Sequence, residues 1–313
     1  MSFEDLQSCS ESDLRQFFTD LCRFYKDMTY DTVSLEFPLV EILPGHGAIR
    51  GGRPGPIQNR TDFDAYPWDE LPKVFWQKAE RWFDMLSKTL PPGMKAIGGV
   101  GYGIFEVSED LVGFEYLSYM QVDDPELFAE LYRKIGDLMV TIWTRILNQY
   151  SELFCVCRVG DDLGFKTGTL LAPQTIVDHI VPQYCRIISL VRKAGKPFLL
   201  HSCGNIFDVM EQIIEAGIDA KHSNEDVIAP FEEWVSRYSS RIGLFGGIDV
   251  DILCRNTPDQ VYEHVLTKGR LYRDTAKGFA LGSGNSIPDY VPMDGYLAML
   301  RAAQQLRLQE SKL

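Results

Sequence analysis

The sequence predicts an α/β fold, a (β/α)8 TIM barrel with an N-terminal helical extension, and three observations point to it. From about residue 95 onward, short apolar runs alternate with longer helical stretches, the rhythm of a parallel sheet built from right-handed crossovers. The chain has 313 residues, within the size range of a barrel that runs as a single domain. Hydrophobic residues make up 45% of it, enough for a substantial interior.

Residues 4–28 read as a helix, with Leu6, Leu14, Phe17, Phe18, Leu21 and Phe24 spaced among charges, and form an N-terminal cap. From Leu39 to Trp68 the chain is rich in Gly and Pro, as in Gly51-Gly52-Arg53-Pro54-Gly55-Pro56, and reads as an irregular, partly exposed segment. Residues 1–90 thus form a helix and an irregular stretch packed on the barrel, and the whole of 1–313 is one domain. Thr32–Leu35, Lys95–Gly99, Leu153–Val159, Pro197–His201, Ile218–His222, Ile242–Gly247 and Gly278–Leu281 are the candidate strands. Helices fill the gaps, among them Pro125–Gln149, Pro173–Ala194, Ile206–Ala216, Pro258–Tyr272 and Met293–Leu308. Seven candidates at this length point to an eight-stranded barrel with one strand unplaced. The run Gly98-Gly99-Val100-Gly101-Tyr102-Gly103 misses the G-x-G-x-x-G spacing of a dinucleotide site, and there is no Walker lysine motif.

Lys and Arg number 31 against 44 Asp and Glu, a formal charge of −13. That argues against a nucleic-acid surface or a basic membrane face. The seven cysteines are scattered, odd in number and not arranged in CxxC pairs, so neither a disulfide framework nor a zinc-finger pattern follows. The first residues carry acids and no basic-then-apolar signal, and no run of ~18 apolar residues occurs. The expected home is a reducing cytoplasm.

In a barrel the chemistry sits where strands end, because the loops there build the site. Phe198-Leu199-Leu200-His201-Ser202-Cys203-Gly204-Asn205 is the most informative stretch: an apolar run ends in a histidine and a cysteine two residues apart, then a glycine that lets the backbone turn. Imidazole and thiolate are ligands that zinc favours. The ordinary alternative is a packed strand-end histidine beside a buried thiol. Other strand ends supply Asp161 and Asp162, His222 and Glu225, Asp249, and the Gly282-Ser283-Gly284-Asn285-Ser286 turn. One of Asp161 and Asp162 is expected to cap a turn or helix, leaving the other free. Asp249 precedes a helical segment, where capping is the common role, and His222 has a plain reading as a loop hydrogen-bonder. Glu225 follows the strand after Cys203, where neighbouring barrel strands bring residues together. His179 and His264 read as solvated helix positions, and His46 as a loop residue.

The segments His201–Ile206, Glu215–Ala220, Phe245–Asp249 and Gly282–Pro288 resemble, in order, the uroporphyrinogen decarboxylase superfamily. That superfamily combines decarboxylases with zinc-dependent methyltransferases, including corrinoid-linked ones, and is related to cobalamin-independent methionine synthase. The resemblance spans most of residues 90–310 and implies a (β/α)8 barrel. The decarboxylase branch is disfavoured: Arg50, Arg53 and Arg60 stand near the N-terminus without that branch's arginine pattern, and its aspartate motif is not found. The methyltransferase branch implies His201 and Cys203 as zinc ligands, with Glu225 at the position of a further one; Ser283-Gly284-Asn285-Ser286 stands where a second cysteine belongs. It implies methyl transfer between a small methylated substrate and a thiol or a corrinoid brought by a partner protein, and often a homodimer. Asp161, Asp162 and His222 are then the catalytic candidates, with Asn205, Asp249 and Asn285 contacting substrate. A metal-free decarboxylase and a non-catalytic binding barrel are the alternatives.

Overall fold

A computed structural model describes residues 2–310 of the chain. The chain forms two compact units, one running to Asp161 and including Gln174–Phe198, the other made of Asp162–Pro173 and the chain from Leu199 onward.

The first unit holds three parallel strands in the order β1 (Thr32–Pro38), β2 (Lys95–Gly101) and β3 (Phe154–Gly160). Thr32 pairs with Lys95, and Gly98 with Cys157. Val33, Leu35 and Phe37 alternate into the core, the two-residue period that a half-buried strand requires. Phe37 meets Phe75 and Trp82 of the helix Leu71–Thr89 with ring centroids 5.0 and 5.2 Å apart. The helical cap is two helices rather than one, Phe3–Ser8 and Glu11–Asp27. Ser10 breaks it, its hydroxyl accepting from the Asp13 amide as an N-cap. The Gly- and Pro-rich segment is tied down more than its composition suggests: Gly55 and Ile57 donate to the carbonyls of Val112 and Leu111, and Ile57 and Phe63 are buried. Its glycines permit that close approach, since a Cβ on Gly55 would lie 2.3 Å from the Leu111 backbone.

The second unit holds four parallel strands in the order β6 (Phe198–His201), β7 (Ala220–His222), β8 (Gly243–Ile248) and β9 (Phe279–Ser283). His201 pairs with His222, and Ile248 with Ser283, so the strand ends come level. A small antiparallel hairpin, β4 (Gly164–Phe165) with β5 (Gly168–Thr169), belongs to the same unit. The helix Pro258–Thr275 starts at a capping box of Thr257 and Gln260 and packs against Met293–Glu310. Phe231, Tyr272 and Phe279 fill the space behind β8 with centroids 4.6 to 5.9 Å apart.

All seven strands expected from the sequence are present, each end within three residues of its expected place. The eighth is not: among the described residues there are seven parallel strands. The intervals with room for another are helical, with Ile104–Val112, Phe114–Asp123 and Pro125–Tyr150 between β2 and β3, and Met293–Glu310 after β9. Among the described residues no helix is long and apolar enough to cross a membrane.

Candidate metal centre

The strand ends of the second unit place His201, Ser202 and Cys203 at the close of β6. Gly204 follows at φ +78°, a left-handed conformation in which any side chain is strained, and a Cβ there would lie 2.1 Å from the Gly164 backbone. The turn packs on the β4–β5 hairpin, where the Asn205 amide donates to the Phe165 carbonyl and the Leu163 amide to Ser202 Oγ. Asp162 leads into that hairpin and accepts the Cys203 amide at 2.8 Å.

Three donor atoms converge here. Asp162, His201 and Cys203 each offer one, all within 4.8 Å of one another. Cys203 Sγ lies 3.4 Å from His201 Nε2, and Asp162 Oδ1 lies 3.8 Å from the same nitrogen. Tetrahedral zinc with bonds of ~2.0–2.3 Å sets neighbouring ligand atoms roughly 3.3–3.7 Å apart. The nitrogen, sulfur and oxygen donors therefore fit zinc in chemistry, with the sulfur–nitrogen separation inside that range and the oxygen–nitrogen separation just above it. Burial, reinforced by the Asp162 carboxylate, pushes the Cys203 thiol up to about 12. A bound cation reverses this, because it stabilises the thiolate directly.

His222 stands beside His201, with Nδ1 2.7 Å from His201 Nδ1 and Nε2 3.1 Å from the Ser283 carbonyl. Asn285 uses its amide nitrogen twice, toward Cys203 Sγ at 3.4 Å and Glu225 Oε1 at 2.8 Å. Glu225 thus meets the cluster through Asn285, whereas Asp162 enters it directly. In the turn where a second thiolate is expected, Asn285 reaches Cys203, while the Ser283 hydroxyl donates locally to the Asn285 carbonyl.

The remaining predicted residues lie elsewhere. Asp161 is fully buried in the first unit, where it accepts the amides of Phe105 and Glu106 at the start of the helix Ile104–Val112 and the Tyr184 hydroxyl at 2.5 Å. Asp249 caps Val250–Arg255 through the Asp251 amide and also accepts the Asp226 amide. Asn205 Oδ1 accepts the Phe207 amide. Arg50 pairs with Glu41, Arg60 with Glu130, and Arg53 donates to the His46 carbonyl. His179 is half-buried rather than solvated, edge-on to Phe128 and stacked on Tyr132.

Sequence reasoning missed the polar framework beneath the centre. Asn224 is buried and staples three strand ends, donating to the Phe245 carbonyl and accepting the Gly247 amide while its own amide donates to the Gly284 carbonyl. Lys221 is completely buried, with Nζ donating to the Ser223 carbonyl and lying 4.0 Å over the Trp234 ring. Burial lowers its ammonium to about 7, against the opposing pull of Cys203, Asp162 and Glu225. An apolar run that turns polar at its last residues is the signal that marks such positions.

Alternating parallel strands and helices, with side chains that could hold a metal gathered at the strand ends, define an α/β protein whose site follows the barrel pattern. The chain belongs to the uroporphyrinogen decarboxylase family, whose model matches residues 68–306. No curated protein matches it. Among solved structures it is similar to a methyltransferase from Methanosarcina mazei, with a TM-score of 0.71 at 14% identity over 94% of this chain and 86% of the other. It is also similar to a B12-independent methionine synthase from Shewanella sp. W3-18-1 in complex with selenomethionine, with a TM-score of 0.56 at 14% identity over 97% and 92% of the two chains. At that identity the likeness is one of fold.

Proposed function

We propose that the protein is a zinc-dependent methyltransferase, moving a methyl group between a small methylated substrate and a thiol or a corrinoid carried by a partner protein. The observation that carries this reading is the convergence of Asp162 Oδ1, His201 Nε2 and Cys203 Sγ within 4.8 Å. Those three side chains would hold the metal, with Glu225 close by through Asn285. Zinc bound there supplies Lewis acidity toward a substrate thiol or methoxy oxygen. The chain's own groups prepare the site: Asn285 orients Cys203 and Glu225 together, and the Cys203 amide fixes the Asp162 carboxylate. Asp161, with its carboxylate held by two amides and a hydroxyl, serves the scaffold and not the reaction. The fold shared with a methyltransferase and a methionine synthase supports the choice of branch.

Metal analysis of protein purified without added zinc, and again after zinc addition, tests this. About one zinc per chain is expected in the wild type, with loss in His201→Ala and Cys203→Ala. Absence of stoichiometric metal in the wild type under both conditions overturns the reading. So does porphyrinogen decarboxylation that survives chelation.

A further inference from the structure

We infer that Asn285 is a positioning residue that holds Glu225 off the metal, so that Asp162, His201 and Cys203 fill three positions and the fourth stays open to substrate. Both ends of its side-chain amide are engaged. Asn285 Oδ1 accepts the Ser286 amide at 2.8 Å, which settles which end of the side chain is the nitrogen. The two N–H groups of that nitrogen then go to Glu225 Oε1 at 2.8 Å and Cys203 Sγ at 3.4 Å. Turned over, the side chain would set its oxygen against a carboxylate and a sulfur lone pair. Glu225 is thus bound to an amide at ordinary hydrogen-bond length, and it is not one of the three groups whose donor atoms lie within 4.8 Å of one another.

Both residues are fixed by the backbone beneath them. The Asn224 amide donates to the Gly284 carbonyl at 2.8 Å, and Ser223 Oγ donates to the same oxygen at 2.6 Å. A Cβ on Gly284 would lie 2.1 Å from the Asn224 carbonyl oxygen, so the two turns meet backbone to backbone. Glu225 and Asn285 follow directly on that contact, and the Ser283 hydroxyl fastens the Asn285 carbonyl at 2.6 Å. A catalytic zinc keeps three protein ligands and one open position, whereas a structural one is closed by four. With oxygen, nitrogen and sulfur already converging, a fourth protein donor would close the centre, and Glu225 is the carboxylate that Asn285 links to Cys203. The amide keeps that carboxylate occupied.

This role deepens the zinc reading and rests on it. Cobalt(II) in place of zinc makes the centre visible, and 2-mercaptoethanol serves as the probe thiol. In the wild type the thiol should about double the sulfur-to-cobalt charge-transfer absorption, because a second sulfur joins that of Cys203. Asn285→Ala frees Glu225 to take the fourth position. Cobalt affinity, read by competition with a chromophoric chelator, should then stay equal or rise, while affinity for the thiol falls by roughly ten-fold or more. Asn285→Ala/Glu225→Gln should recover thiol binding to within a few-fold. Glu225→Gln alone should leave cobalt affinity within a few-fold of the wild type.

A merely structural Asn285 gives a different signature, with metal affinity and thiol binding lost together. That result overturns the inference while the metal reading stands. So does a wild type that takes up no second sulfur, thiol binding unchanged in Asn285→Ala, or a loss of cobalt affinity of roughly ten-fold or more in Glu225→Gln alone. A wild type that binds neither zinc nor cobalt sinks the metal reading, and this role with it. If Asn285→Ala does not fold, the wild-type thiol titration and Glu225→Gln still decide between a carboxylate held off the metal and a ligand.

Discussion

Asp161 and Asp162 are neighbours in sequence with different work to do. Asp161 is fully buried and holds the start of a helix together with a tyrosine hydroxyl; Asp162 is half-exposed and faces His201 and Cys203. Asp161→Ala leaves buried amides without partners and should cost about 3 kcal/mol or more in chemical denaturation. Asp162→Ala should cost no more than about 1 kcal/mol while weakening zinc binding at least ten-fold in chelator competition. The reverse pattern would assign the two roles wrongly. That one of the pair would cap was legible, since aspartate so often caps helices, but which one was not: the helix that Asp161 caps lies more than fifty residues upstream. His201-Ser202-Cys203 was legible because two metal-ligand types closed an apolar run. The bridging role of Asn285 was not, because an amide has no spacing signature.

At the scale of elements, the short strand β7 has two faces with different chemistry. Its Lys221 lies against Trp234 and its His222 against His201. The buried Lys221 amine titrates at about 7 rather than its ordinary 10.5. Between those values the unfolded chain holds a proton that the folded chain does not, so this contribution to stability rises with pH through the window and is constant below it. Lys221→Met should therefore flatten the pH dependence of stability between pH 7 and 10 relative to the wild type, by up to roughly 1 kcal/mol per pH unit. Parallel denaturation series of the two proteins would show it. The turn after β6 carries a separate prediction. Gly204→Ala places a side chain at φ +78° and against the Gly164 backbone, and should cost about 2 kcal/mol or more and reduce zinc affinity by displacing the Asp162 hairpin. Apolar runs made the seven strands readable. The β4–β5 hairpin escaped because two-residue strands carry no period, and the segment 39–68 read as irregular and partly exposed because glycine and proline conceal how closely it packs.

For the molecule as a whole, a ligand that binds only the native state adds stability in proportion to the logarithm of its concentration. Zinc at a hundred times its dissociation constant should add about 2.7 kcal/mol. That would raise the melting temperature by roughly 4 °C, an effect that Cys203→Ala should abolish in a thermal scan. The alternating α/β pattern was legible from the rhythm of strand and helix; the count of eight was an extrapolation from barrel arithmetic, and helices occupy the intervals where a further strand would lie. A slip of β7 by one residue against β6 or β8 would exchange lysine for histidine at the site while leaving the same number of strands and helices. Circular dichroism could not tell such a misthreaded chain from the native one, whereas its ability to take up metal would, so zinc uptake is a fidelity check on how this sheet was assembled.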